Sequence, residues 1–178
     1  ADAQVLFDAG VREISRIETL LTEFKEGSET WRINHSTETL IENIHPEVYQ
    51  LINRCIRISK ITNGCFDITI GPLKKLYSFK RQQGLLPTPA EVANILPLVG
   101  SEKLKLLPGF ALQKAATGMQ LSFAAVGKGY AADCVRKIWT SMGCSGGVIN
   151  ASGDLCIVGL RSDGSEWMAG IPHPDKQR

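Results

Sequence analysis

The chain has 178 residues, of which 43% are hydrophobic and 21% charged, the make-up of a folded domain with enough length to bury a core rather than of a disordered segment. A formal net charge of +2 and the lack of any dense basic run leave no electrostatic footprint for nucleic acid. No apolar run approaches the roughly 18–20 residues that span a bilayer.

From Asp2 to about Phe24, apolar residues recur at Leu6, Ala9, Ile14, Ile17, Leu20, Leu21 and Phe24, with Arg12, Glu13, Arg16 and Glu18 on the wet side. That spacing predicts a long amphipathic helix. Lys25 to Thr37 turns polar and predicts a loop, in which Ser28, Glu29 and Asn34 are either ligands or turn and cap residues and Trp31 is a packing anchor. Pro46 suits the first position of a helix running to Thr62, with Val48, Leu51, Ile52, Cys55 and Ile56 as its buried stripe and Gly64 to close it. Next, Phe66, Ile68 and Ile70 alternate with Asp67 and Thr69, which predicts a short strand with one polar face. Pro72 restarts the chain into a helical turn from Leu73 to Phe79, and Arg81 to Pro87 reads as a loop. Thr88-Pro89-Ala90-Glu91 is a capping box that opens a brief helix ending near Pro97.

Strand periods follow at Lys103–Leu107, Phe110–Lys114 and Met119–Phe123, spaced as a meander. The stretch from Gly118 to Asp154 then organises the chain. It holds a small-residue corner at Gly127-Lys128-Gly129 and a helix with Tyr130, Ala131, Cys134, Val135, Ile138, Trp139 and Met142 on one face. Gly143 is placed to end that helix; a strand, Gly147–Asn150, and a bend, Ala151-Ser152-Gly153-Asp154, come next. Asp154–Leu160 and Glu166–Ile171 predict a further hairpin turned at Ser162-Asp163-Gly164, and residues 172–178 show no terminating element. Helices early and strands mostly late favour an α+β fold over a doubly wound sheet.

A glycine corner carrying a lysine, a helix and a second corner carrying an aspartate frame a site for an anionic, phosphate-containing ligand, because helix N-termini present free N–H groups and a positive dipole end. The common phosphate loops do not match. Ser122 stands where a Walker A loop needs its first glycine and Gly129 where it needs a hydroxyl, while Ala132 breaks G-x-G-x-x-G. No nucleophile elbow is present, and His35, His45 and His173 lack metal-ligand spacing. Cys55, Cys65, Cys134, Cys144 and Cys156 form an odd, scattered set without a C-x-x-C pair, which argues against zinc and against a complete disulfide framework; Cys55 and Cys134 read as small core residues. Alone, this leans towards a reducing compartment. No signal peptide is visible, but a chain opening at Ala1 reads as processed or trimmed and carries no evidence for the cytoplasm.

Taken together, RIETLLTEF (16–24), SETWRIN (28–34), SKITNGCFDITIGPL (59–73), AVGKGYAADCV (125–135), SGGVINASGDL (145–155) and EWMAGIPHP (166–174) resemble the FAD:protein FMN transferases of the ApbE type. The resemblance implies an α+β architecture with N-terminal helices packed on a mainly antiparallel sheet, ApbE-like (T-fold-like), in a single domain over 1–178 that lacks its C-terminal part. It implies an enzyme that binds FAD with Mg²⁺ and transfers the FMN half to a Thr or Ser hydroxyl of a partner protein, releasing AMP. Such proteins are periplasmic or cell-envelope enzymes, often lipoproteins, so membrane attachment would run through an N-terminal segment not present here. The alternatives are an FAD-binding protein or FAD pyrophosphatase without a protein acceptor, and a non-catalytic relative.

Carried over by position, Phe24 falls at an aromatic near the flavin, with Ser28 in the following segment. Cys65, Phe66, Asp67 and Thr69 match G-A-F-D-x-T, which contacts FAD; Asp67 would grip a ribose or adenine donor or else serve as a turn partner. Lys128, with Gly129 and Tyr130, is the basic corner expected to offset diphosphate charge and to act in catalysis. Ala125 aligns with the residue offering oxygen to Mg²⁺, here only a backbone carbonyl, and Ser152, Gly153 and Asp154 match a glycine-rich bend near the cofactor. Ser122 departs from the family's aspartate. The Asp and Thr that complete the metal site in the family have no counterpart before Arg178, where Asp163 and Asp175 read as turn residues.

Overall fold

The computed structural model describes residues 2–77 and 86–170. The predicted end of a helical turn at Phe79, most of the Arg81–Pro87 loop, and Ile171 with the tail holding His173 and Asp175 lie outside the described residues. By contact the chain divides into two compact units, one formed by Glu18–Ala125 and the other by Ala1–Ile17 with Val126–Arg178.

Helix α1 spans Ala3–Leu21, buries Ala9, Ile17 and Leu21, and leaves Ile14 exposed. It stops one turn short of the predicted end, so Phe24 lies beyond it and is exposed. The polar stretch expected to be a loop contains a second helix, α2 (Glu29–His35). Ser28 makes that helix possible: its Oγ accepts from Trp31 N at 3.0 Å and donates to the Thr22 carbonyl. The charges that made the segment look like a loop instead brace it. Glu29 pairs with Arg32 at 2.5 Å and accepts from His45 N, the N-cap of α3 (Pro46–Ile61). Helix α3 buries Val48, Leu51, Ile52 and Cys55, and closes through Gly64, whose φ of 79° lets its N–H reach the Ser59 carbonyl at 2.8 Å.

The expected strand at 66–70 does not form, and the chain there turns directly into α4 (Gly71–Leu76). The capping box does form: Thr88 and Glu91 exchange hydrogen bonds at the start of α5 (Pro89–Ile95). The three-stranded sheet also differs from the predicted meander. Its order is β1 (Leu40–Ile41), β3 (Ala111–Lys114), β2 (Leu104–Leu107), all antiparallel, with Ile41 opposite Leu112 and Leu106 opposite Leu112 on the other side. Among the described residues, 119–123, expected as its third strand, make one isolated parallel bridge, Gln120 with Ile70. Their backbone is held in another way. The Asn34 side chain donates to the Leu121 carbonyl at 2.8 Å and accepts from Leu121 N at 2.7 Å, as a strand partner would. Ser122 N donates to the Ile68 carbonyl at 2.7 Å. Around these ties lies the core of this unit, with Ile33, Val48, Ile52, Ile68, Leu112, Met119 and Leu121 fully buried. Lys114 is buried among them with its ammonium donating to the Ile33 carbonyl at 3.1 Å, and burial holds its pKa below the ordinary lysine value.

In the other unit, α6 (Gly127–Ser141) packs on a hairpin of β4 (Gly146–Ala151) and β5 (Asp154–Gly159). Ala132, Val135, Ile149 and Val158 form its core, with Trp139, Cys144 and Cys156 packed against them. Trp139 Nε1 reaches the Leu6 carbonyl of α1 at 2.8 Å. The hairpin partner of 154–159 is therefore the preceding strand, not residues 166–170, which form no strand. The turn at 162–164 does exist: Asp163 accepts from Ser165 N and Oγ, and Gly164 N from its own turn donates to Arg161 O.

Two outcomes check this architecture. Replacing Asn34 by Ala leaves both polar backbone groups of a buried residue without partners and is expected to cost about 2–4 kcal/mol, measured by urea unfolding. Burial pushes the Cys55 thiol up to about 11, against a smaller opposing pull from Arg54, while Cys65 is exposed. A maleimide added to native protein at neutral pH should therefore label Cys65 and reach Cys55 only after unfolding.

Candidate functional site

The loop from Cys65 to Ile70 is shaped by one carboxylate. Asp67 Oδ1 accepts from Thr69 N at 2.7 Å, from Thr69 Oγ1 at 2.6 Å and from Ser101 Oγ at 2.7 Å, and its Oδ2 accepts from Ser101 N at 2.7 Å. Of the two roles open to Asp67, the turn partner is thus present. Four donors bend the backbone away from the extended path that the apolar alternation predicts, and Thr69 points into the protein, fully buried, its hydroxyl also accepting from Gly100 N at 2.6 Å. Phe66 is half-buried with its N–H on Thr62 Oγ1, and Cys65 is exposed. Burial alone would raise the Asp67 carboxyl, but the hydrogen bonds from Thr69 and Ser101 outweigh it and hold the group below its ordinary value.

This loop runs into α4, and Gly71 at its start lies so close to Gln120 that an added Cβ would sit 2.8 Å from the Gln120 carbonyl. The approach sets Lys74 beside Ser122. The Lys74 ammonium pairs with the Glu23 carboxylate and donates to Ser122 Oγ at 3.3 Å, and that hydroxyl donates to Glu23 Oε1 at 3.2 Å. The same ammonium stands 5.4 Å from the centroid of the Phe24 ring, which is 83% exposed. Two of the predicted site residues, Phe24 and Ser122, are therefore brought together, through two that sequence reading missed, Glu23 and Lys74. The signal was available only by adjacency: Glu23 precedes the aromatic, and Lys74 follows the Gly-Pro-Leu that opens α4. Ser28, just beyond, is buried and occupied in capping α2.

In the second unit, Gly127-Lys128-Gly129 is the first turn of α6 itself and not a corner before it. Tyr130 N already bonds the Val126 carbonyl at 2.8 Å, and Val126, the N-cap, offers no side-chain cap. Gly127 and Gly129 face open space where a Cβ would stand, and Lys128 is exposed. Ser152 and Gly153, with φ of 57° and 102°, are the two central residues of the tight β4–β5 turn that ends at Asp154, and all three are exposed. Ala125 is exposed on the chain just before α6. Among the described residues no group of three or more His, Cys, Asp or Glu gathers to hold a metal ion.

The Asp67 network generates a pH prediction. A carboxyl whose folded pKa lies below its unfolded value stabilises the protein above the unfolded value, and that contribution disappears as pH falls through the folded one. Asp67→Asn should therefore lower stability at neutral pH by about 1–3 kcal/mol and flatten the loss of stability below about pH 4, read from urea midpoints across pH.

The ApbE family model matches residues 2–178. The chain is 29% identical over 160 residues to the FAD:protein FMN transferase of Salmonella typhimurium, covering 87% of this chain and 46% of that protein. To a protein of the same name from Klebsiella pneumoniae it is 29% identical over 164 residues, 90% of this chain and 49% of the other. Among solved structures, the ApbE protein of Thermotoga maritima superposes with a TM-score of 0.89 at 25% identity, covering 99% of this chain and 58% of that one. The apo flavinyl transferase ApbE of Pseudomonas stutzeri gives 0.86 at 25% identity, covering 96% and 54%. The chain thus spans about half the length of the curated relatives it matches. With its mixed helices and antiparallel strands, the chain belongs to the ApbE family.

Proposed function

We propose that the protein takes FAD as substrate and transfers its FMN half to a serine or threonine hydroxyl of a partner protein. The observation that carries this reading is the family match along the whole chain, to relatives named FAD:protein FMN transferase. In the reaction, the acceptor oxygen forms a bond to the FMN phosphorus and the bond from that phosphorus to the oxygen bridging to AMP breaks. AMP leaves with that oxygen, and the hydroxyl proton passes to solvent or a base. Such a displacement needs the attacking and leaving oxygens in line and charge offset on the phosphate.

The residues support a division of labour. Phe24 offers an exposed aromatic face for the isoalloxazine ring. Gly127 and Gly129 leave room for close approach at the start of α6, where N–H groups and the Lys128 ammonium supply positive potential for a diphosphate. Ser152, Gly153 and Asp154 form an exposed turn suited to a further contact. Cys65, Phe66, Asp67 and Thr69 act mainly by shape, since Asp67 and Thr69 are occupied with the loop's own donors.

Magnesium does not fit the described residues by themselves. Ala125 offers one carbonyl, whereas a hard cation takes about six oxygens. A cell-envelope location completes the reading; no described helix is long and apolar enough to cross a membrane. A second reading, in which water replaces the acceptor and FAD is hydrolysed, is motivated by the departure at Ser122 from the family's aspartate.

The test is incubation of the full-length protein with FAD, Mg²⁺ and candidate acceptor proteins, followed by mass spectrometry. Expected is an acceptor mass increase of one FMN with matching AMP, reduced about a hundredfold or more in Lys128→Ala. AMP and FMN formed equally without acceptor would establish the hydrolase, and no FAD binding by calorimetry would leave a non-catalytic member of the family.

A further inference from the structure

We propose that Lys74 is a positioning residue for a flat aromatic ligand: tethered by Glu23 and Ser122, its ammonium fixes the exposed Phe24 ring as a stacking platform. The inference rests on the flavin reading above and names how this chain presents its ring. Phe24 lies past the end of α1, 83% exposed, where a phenyl ring gains little from packing and is free to turn. What restrains it is a cation 5.4 Å from its centroid. That cation is itself restrained: the lysine side chain would ordinarily be mobile, but Glu23 pairs with it and the Ser122 hydroxyl accepts from it at 3.3 Å. Ser122 in turn is buried, its N–H anchored on the Ile68 carbonyl. An ordered path therefore runs from the core to a solvent-facing ring.

The ion pair is partly exposed, with Lys74 at 40% and Glu23 at 15%, so it adds little to stability. A cation held over a ring does, however, lower the cost of ordering that ring when a second aromatic system stacks on its open surface. The cation acts on the ring and not on phosphate, which separates this role from general attraction of an anionic ligand.

The test measures equilibrium binding of riboflavin, FAD and ADP to the full-length protein by fluorescence and calorimetry. Lys74→Met should weaken riboflavin and FAD by about three- to tenfold and leave ADP unchanged, and Lys74→Arg should restore flavin binding to within about twofold. In a Phe24→Leu background, Lys74→Met should have no further effect. Unchanged riboflavin binding in Lys74→Met, a loss that persists without Phe24, or a loss shared by ADP would each overturn the proposal. If Lys74→Met does not give the native circular dichroism spectrum, Glu23→Gln serves instead: it frees the lysine while keeping its charge, and unchanged riboflavin binding there overturns the proposal as well. Wild-type protein that binds neither riboflavin nor FAD would sink the flavin reading and this inference together, whereas wild-type binding with indifferent variants sinks the inference alone.

Discussion

The unit from Glu18 to Ala125 depends on how the backbone at Leu121 finds its hydrogen-bond partners. A buried peptide group must be paired, and in an apolar stretch such as 119–123 a sheet is the usual solution. Here a single side-chain amide does it, Asn34 presenting a donor and an acceptor in the spacing of a strand backbone. Because the pairing is local to one residue, the next one is released from ladder geometry. Ser122 can then bond Ile68 with its N–H while aiming its hydroxyl at Lys74 and Glu23. A regular third strand would have spread that constraint along five residues. The amide concentrates it at the position where the polar cluster starts.

The same kind of substitution explains what was legible in the sequence and what was not. Helices α1, α3 and α6 announce themselves through apolar spacing, and α5 through its capping box, because these signals lie within one segment. The strand predicted at 66–70 has the right alternation and fails because Asp67 gathers four donors, two of them from residue 101, far along the chain. Helix α2 was hidden for the converse reason. Its stability comes from the Ser28 cap and from Glu29 pairing with Arg32, polar features that resemble a loop when read without geometry. Hairpin pairing was assigned to the wrong neighbour because the Ser152-Gly153 turn is two residues long and its first residue is not the usual Asn, Asp or Gly.

For the candidate site the division is similar. Motif matching singled out Phe24, Ser122 and the Asp67 loop separately; the structure places them in one unit, with Ser122 joined by its backbone to that loop. Motif matching gave no hint of Glu23 or Lys74, whose importance lies in meeting each other across 51 residues of chain. Nor did it distinguish residues that present their polar groups to a ligand from residues that are already satisfied. Asp67 and Thr69 belong to the second kind, and any effect of changing them on ligand binding would pass through the loop they hold.

The start of α6 is the counterpart to those satisfied groups. A helix N-terminus leaves N–H groups that a Ser, Thr, Asp or Asn cap commonly pairs, at a gain of roughly 1 kcal/mol. Val126 cannot do this, and two glycines in the first turn, each about 1 kcal/mol less favourable than alanine inside a helix, weaken the same end again. Local helix stability would be improved by a capping residue and by alanine at 127 and 129, where space is open. Those changes would also fill the approach to the N–H groups and supply a competing acceptor. Under the proposed reading, the same residues that are poor for the helix leave access for a ligand at this turn, and the remaining stability is provided elsewhere, by Ala132 and Val135 packing on the β4–β5 hairpin.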